Sequence, residues 1–229
     1  MNIHETSTGQ LYDKALLEDF CKRNGMYYIV DAISSVCADE LDLSKIDMDA
    51  VILSSQKGFA CSPGLSIVLM SNKLYDERVR NNSVTSMYFD FKSYVSNMER
   101  FQTPFTPPIG ILYQINDMLK YLLDMGPERT VSNTHRLAKY YREQLKTLSL
   151  KPLDYPLSNA MTPVYLRDIS AYDVHMCLKE KHDILINPSG LLRDNLLIVG
   201  HLGNLCEENY DMLISVMQTV IKELQNGKR

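Results

Sequence analysis

Lys57 lies in Ser54-Ser55-Gln56-Lys57-Gly58-Phe59-Ala60, directly after the apolar run Ala50-Val51-Ile52-Leu53. The run reads as a buried strand entering a polar turn. With small residues and a glycine around it, the lysine is expected in a walled pocket rather than in solvent. Desolvation there would lower its pKa and free the amine to attack a carbonyl. Upstream, Met26-Tyr27-Tyr28-Ile29-Val30 reads as a second strand that delivers Asp31 at its C-terminal end, ahead of Ala32-Ile33-Ser34-Ser35. A lysine able to form a Schiff base and an aspartate able to keep a pyridine nitrogen protonated meet the needs of a pyridoxal phosphate site. Singly, each has an ordinary reading: a solvated loop lysine, and a turn or cap aspartate.

A third element precedes them, His4-Glu5-Thr6-Ser7-Thr8-Gly9. Taken in order, the Glu-Thr-x-Thr-Gly turn, the Asp-x-x-Ser strand end and the Ser-Gln-Lys-Gly segment resemble the class V aminotransferases of the type I pyridoxal phosphate fold. The likeness is to the branch of alanine–glyoxylate, serine–pyruvate and 2-aminoethylphosphonate aminotransferases, and it covers nearly the whole chain. It implies that Lys57 carries the cofactor, that Asp31 pairs with the pyridine nitrogen and that Gln56 and Thr6 contact ring substituents. Ile33 would pack on one ring face. In Phe101-Gln102-Thr103-Pro104-Phe105-Thr106-Pro107-Pro108, Thr106, and more weakly Thr103, match hydroxyls that reach the cofactor phosphate of a neighbouring subunit, so a homodimer is implied. Ordinary turn chemistry before a helix, with Pro107 and Pro108 pre-set for its first turn, is the other reading of the threonines.

The sequence departs from that pattern in two places. Proteins of this type carry a long region before the Glu-Thr-x-Thr-Gly turn, with a Gly-rich phosphate cradle and a ring-stacking aromatic, so the resemblance implies an N-terminally truncated or excised chain. The substrate-carboxylate arginine of such enzymes precedes Ile/Val-Gly, whereas Leu196-Leu197-Ile198-Val199-Gly200 puts Ile198 there. Isoleucine cannot form the bidentate pair that fixes a carboxylate. Arg193 is near in sequence, beside Asp194 in a loop.

At 229 residues with 45% hydrophobic content, the chain can bury a substantial core. A net charge of −4 with scattered basic residues argues against a nucleic-acid partner. The five cysteines (Cys21, Cys37, Cys61, Cys177, Cys206) lack Cys-x-x-Cys spacing and read as reduced thiols of a cytoplasmic protein. No apolar run approaches a membrane span, no signal peptide opens the chain, and the histidines show no metal-ligand spacing.

The elements expected to position these residues are an amphipathic helix over 11–23, strands ending at Asp31 and Leu53, and a strand over 65–70. A helix over 110–125 follows, in which Ile111, Leu112, Ile115, Leu119 and Leu122 form a core stripe, and then a helix over 128–148. A linker over 151–159 would lead to a strand (161–166), a helix (171–181), strands at 184–186 and 196–200, and a last helix (207–224). The fold class is α/β: part of a mostly parallel sheet in residues 1–150, followed by a small α+β domain in residues 151–229. Ligands of such sheets bind at the carboxyl ends of the strands, where Asp31 and Lys57 fall. Two other functions compete with transamination. One is desulfuration on the same fold, which wants a histidine where Gln56 stands and a mobile nucleophilic cysteine, for which Cys61 is a poor fit. The other is a catalytically incomplete chain needing an N-terminal partner.

Overall fold

The computed structural model describes residues 1–226. A hairpin of two short strands, β1 (His4–Glu5) and β2 (Gln10–Leu11), opens the chain. Helix α1 spans Lys14–Arg23. It starts later than its apolar pattern suggests, because Leu11 is spent on β2 and Asp13 caps the helix, its Oδ1 accepting from the amides of Ala15 (2.9 Å) and Leu16 (3.1 Å). A three-stranded sheet follows in the order β3 (Ile29–Asp31), β4 (Ala50–Ser54), β5 (Ser66–Met70). β3 and β4 run parallel and β5 is antiparallel to β4, so this part of the sheet holds one pair of each kind. The first core lies against it: Ile3, Tyr28, Val30, Ala32, Val51, Leu53, Phe59 and Ile115.

A short helix α2 (Asn72–Leu74) runs into a wide turn, followed by α3 (Phe91–Met98), α4 (Ile109–Met125) and α5 (Pro127–Gln144). The expected α4 stripe is only partly core. Ile115 is buried and Ile111 and Leu122 pack beside it, whereas Leu112 and Leu119 are 38% and 40% exposed. The row that meets the core is Ile111, Ile115, Met118 and Leu122, spaced i, i+4, i+7 and i+11, and the other two leucines lie on the adjoining row.

Beyond α5, β6 (Met161–Tyr165), α6 (Ala171–His182), β7 (Asn187–Pro188), β8 (Leu196–Gly200) and α7 (Glu207–Asn226) enclose a second core. β8 lies between β6 and β7 and is antiparallel to both. No strand forms at 184–186, since the polar groups there are taken by α6. Ile184 N–H donates to the Leu178 carbonyl after the left-handed Asp183, and the Ile186 carbonyl accepts from His175 Nδ1. Pairing with β8 starts only at Asn187. The 151–159 stretch is docked rather than free, with its Pro156 carbonyl accepting from Leu11 N–H (2.8 Å) and Ser158 N–H donating to the Gly9 carbonyl (2.9 Å). Among the described residues no helix is long and apolar enough to cross a membrane.

The second core contains a directed polar chain. Arg142 has only donors to offer, so its Nε gives to Thr162 Oγ1 (2.9 Å), and the threonine proton turns to His201 Nε2 (2.8 Å). His201 Nδ1–H then gives to Tyr210 Oη (2.8 Å), whose proton reaches the Gly200 carbonyl (3.4 Å). Each partner is satisfied only if His201 is neutral. Burial, helped by the Arg142 charge, pushes its pKa from 6.5 down to about 3. Because the unfolded chain binds this proton more readily than the native one, stability contributed here is full above pH 6.5 and lost as pH falls toward 3. Each pH unit in that window is expected to cost up to roughly 1.4 kcal/mol. Urea midpoints at pH 7, 6, 5 and 4 check this: a His201→Gln protein should show a shallower decline than the parent, and parallel declines would exclude His201 as the cause.

Candidate active site

Three chain segments converge at the carboxyl ends of β3 and β4. Asp31 is the last residue of β3 and pairs with Ile52 of the parallel strand that leads into the Lys57 turn. Its Oδ1 accepts from Ile33 N–H (2.9 Å), the short-range bond that turns the chain after the strand. Val36 N–H then reaches back to the Ala32 carbonyl (3.0 Å), so residues 32–36 form a tight loop rather than an extended tail.

The Lys57 turn is closed by Ala60 N–H to the Lys57 carbonyl (2.8 Å) and Cys61 N–H to the Ser55 carbonyl (3.0 Å). Buried Ser55 braces its base, its hydroxyl donating to the Ser62 carbonyl (2.7 Å). Gly58 brings this turn onto the Asp31 loop: a Cβ there would lie 2.1 Å from the Val36 carbonyl oxygen. The glycine faces the packed loop, so Lys57 next to it faces outward and is exposed, contrary to the walled pocket expected from its small neighbours.

The third segment is the β1–β2 turn. Ile3 N–H donates to the Asp31 carbonyl (3.2 Å), laying this segment alongside β3. Glu5 Oε1 accepts from both the amide (2.9 Å) and the hydroxyl (2.6 Å) of Ser7, holding Thr6 at the exposed tip. These bonds keep the Glu5 carboxyl below the usual carboxylate range. Buried His4 gives its Nδ1–H to the Ser34 carbonyl (3.3 Å), tying the turn to the Asp31 loop. Its pKa is pushed down, chiefly by burial, with the nearby Lys57 charge adding to the effect against Asp39 and Glu5.

The polar atoms left free are those a ring-bearing cofactor would use. Lys57 Nζ, Asp31 Oδ2, Thr6 Oγ1 and the Gln56 amide make no hydrogen bond or salt bridge among the described residues. Half-buried Ile33 follows Asp31 on the same loop. An amine, a carboxylate oxygen and two neutral polar groups fit pyridoxal phosphate, which needs a covalent anchor, an anionic partner for its ring nitrogen and contacts to its ring substituents. Cys61 does not suit a nucleophile's role: its thiol is half-buried, donates to the Phe59 carbonyl and has its pKa raised by burial. Among the described residues no His/Cys/Asp/Glu group could hold a metal ion.

The remaining candidates lie elsewhere. Thr103 and Thr106 are exposed between α3 and α4, unbonded to the Asp31–Lys57 site, and Thr103 gives its hydroxyl to the Phe105 carbonyl (2.6 Å). Ile198 is at the middle of β8, opposite Pro163 on one side and Asn187 on the other. Arg193 stacks over the Tyr172 ring at 5.6 Å. Sequence reasoning missed the spatial role of Gly58, although the Lys-Gly pair carried a signal for it: a glycine beside a functional side chain often marks close backbone approach.

Comparison with known proteins gives the fold as the type I pyridoxal phosphate fold. The chain belongs to the class-V aminotransferase family, whose pattern matches residues 1–191. It is 29% identical over 96% of its length to the small subunit of a soluble hydrogenase from a Synechococcus species, covering 58% of that protein. It is 26% identical to the L-aspartate–glyoxylate aminotransferase of Paracoccus denitrificans, again over 96% of this chain and 57% of the relative. Among solved structures, alanine–glyoxylate aminotransferase from a Nostoc species superposes with a TM-score of 0.88 at 25% identity, over 96% of this chain and 60% of that one. The chain thus spans somewhat under two thirds of the length of the relatives it matches.

Proposed function

We propose that this chain carries the lysine-bearing part of a pyridoxal-phosphate-dependent aminotransferase that moves an amino group from a small amino acid or aminophosphonate to a 2-keto acid such as pyruvate or glyoxylate. The observation that carries the reading is the uncommitted Lys57 amine on a turn seated directly on the Asp31 loop. Pyridoxal phosphate, when bound, supplies an electron-withdrawing ring. Lys57 would anchor it covalently and, with its amine free, would act as the general acid–base that moves a proton at the substrate carbon. Asp31 Oδ2 would hold the proton on the ring nitrogen. Gln56, Thr6 and Ile33 would orient the ring, and the glyoxylate aminotransferases among the relatives support the choice of acceptor. To test this, the protein is incubated with pyridoxal phosphate, reduced with borohydride and mapped by peptide mass spectrometry. Lys57 is expected to dominate the labelling, and modification spread evenly over the lysines would exclude the assignment.

The active form is read as a cytoplasmic homodimer. Residues 84–113 carry several exposed large apolar side chains, Met87 (77%), Phe89 (66%), Phe101 (99%) and Tyr113 (69%), together with a Tyr88–Phe105 stack at 5.4 Å. Thr103 and Thr106 are exposed in the same segment, and on this reading a neighbouring copy's cofactor phosphate would meet them. Phe101→Glu is expected to weaken self-association by about tenfold or more, the scale of an aromatic anchor in an interface. Sedimentation velocity over a concentration series reads this directly, and an unchanged profile would remove Phe101 from the interface.

A further inference from the structure

The Asp31 loop is held from its far side by residues that no cofactor contact requires. Asp39, at the end of that loop, is 3% exposed. Its Oδ1 accepts from Asn159 N–H (2.8 Å) and its Oδ2 from the Ser158 hydroxyl (2.5 Å). The carbonyl of the same Ser158, a fully buried residue, accepts from Arg142 Nη2 at 2.6 Å, and Arg142 Nη2 also reaches the Met161 carbonyl (3.2 Å). Ser158 therefore bridges a buried carboxylate of the first half of the chain and a guanidinium on α5. Two further bonds tie the same loop: Thr134 of α5 donates to the Cys37 carbonyl (3.1 Å), and Asn159 Nδ2 to the Ala38 carbonyl (3.3 Å). Arg142 also starts the directed chain through Thr162, His201 and Tyr210 into the second core.

Opposite charges kept this far from water are costly unless their hydrogen bonds are complete, and replacing them with apolar residues is often neutral for stability. The placement explains the cost. Residues 31–39 are fixed at one end by β3 and at the other by Asp39, and the Gly58 backbone rests on Val36 between those anchors. A loop free at the Asp39 end would let Val36, and with it the Lys57 turn, move.

We propose that Asp39 and Arg142, bridged by Ser158, form a clamp through which the second core positions the Asp31 loop and thereby the Lys57 turn. Both are positioning residues and neither touches the reacting atoms. The assignment deepens the aminotransferase reading, since it gives the turn's rigidity a purpose, but its test uses cofactor-free protein and stands apart from whether Lys57 takes the cofactor.

Hydrogen exchange resolved by residue reads the clamp. The reporting amides are Val36, Ala38 and residue 39 in the loop, bonded to Ala32 and Ser35 carbonyls, and Ala60 and Cys61 in the Lys57 turn. Asp39→Asn keeps hydrogen-bonding capacity towards Ser158 and Asn159 but removes the charge that faces Arg142, and Ser158→Ala removes the bridging hydroxyl while keeping the carbonyl. In both, exchange at loop and turn amides is expected to rise by about tenfold or more, equivalent to roughly 1.4 kcal/mol of local opening, while β5 and α7 amides keep the parent rates. Arg142→Met should reproduce the pattern from the other side. If Asp39→Asn does not fold, the milder Ser158→Ala carries the comparison. Acceleration of all amides by one factor, acceleration confined to residues 158–162, or no acceleration would each overturn the clamp. In that event these residues would only hold the two cores together.

Discussion

If the proposed aminotransferase reading holds, replacing Asp31 with asparagine is expected to lower transamination by about 10- to 1000-fold while leaving the cofactor attached to Lys57. The range follows from charge. An opposite charge within hydrogen-bond reach moves a pKa by about 1–3 units, and a carboxylate at Asp31 Oδ2 would hold the proton on the ring nitrogen by that amount. The side-chain amide oxygen of the Asp31→Asn protein can still accept from the Ile33 amide, as Asp31 Oδ1 does at 2.9 Å, so the turn after β3 and the seat of Gly58 on Val36 should survive. What is lost is the negative charge, and on that reading the support it would give to the electron sink. Single-turnover rates measured with a saturating amino donor, alongside borohydride trapping at Lys57, separate these effects. A normal rate with normal trapping would show that Asp31 only closes the turn.

Legibility in the sequence tracked how far each signal depended on distant chain. Apolar runs bounded by polar turns gave β4 and β8 within a residue, because their side chains are buried whatever else the fold does. The positions of Asp31 and Lys57 were readable for the same reason: Asp31 ends β3, and Lys57 sits in the turn that follows β4. The 184–186 run failed, since its polar groups go to α6, a partner only the tertiary structure identifies. The α4 stripe was half right because composition cannot say which of two adjoining apolar rows meets the sheet. The exposure of Lys57 was missed for a related reason. Small neighbours suggest a pocket, but which one faces the packing loop depends on where Val36 lies. Nothing in the sequence sets Asp39, Ser158 and Arg142 apart, and only the fold brings them together across 119 and 16 positions.

Gly58 offers the most direct test of whether the Lys57 turn depends on the Asp31 loop. Its requirement is one of space, whereas Gly9 combines close approach with a φ of +73°. A Cβ at Gly58 would stand 2.1 Å from the Val36 carbonyl oxygen and 2.9 Å from its carbon. Both are backbone atoms, held by Val36 N–H to Ala32 on one side and by Thr134 to the Cys37 carbonyl on the other, so no side-chain rotation can relieve the contact. The turn must lift or the loop must yield. Overpacking of this kind costs about 1–3 kcal/mol, and urea unfolding of Gly58→Ala is expected to show a loss in that range. Lifting the turn should also carry the Lys57 amine away from Asp31, so labelling by pyridoxal phosphate and borohydride should lose its preference for Lys57 even in the folded fraction. Gly25, with open space around its would-be Cβ but a φ of +62°, is the control: Gly25→Ala should lower stability through backbone strain and leave the labelling pattern unchanged. Equal selectivity for Lys57 in the Gly58→Ala and parent proteins would mean that the turn keeps its geometry without resting on the Asp31 loop.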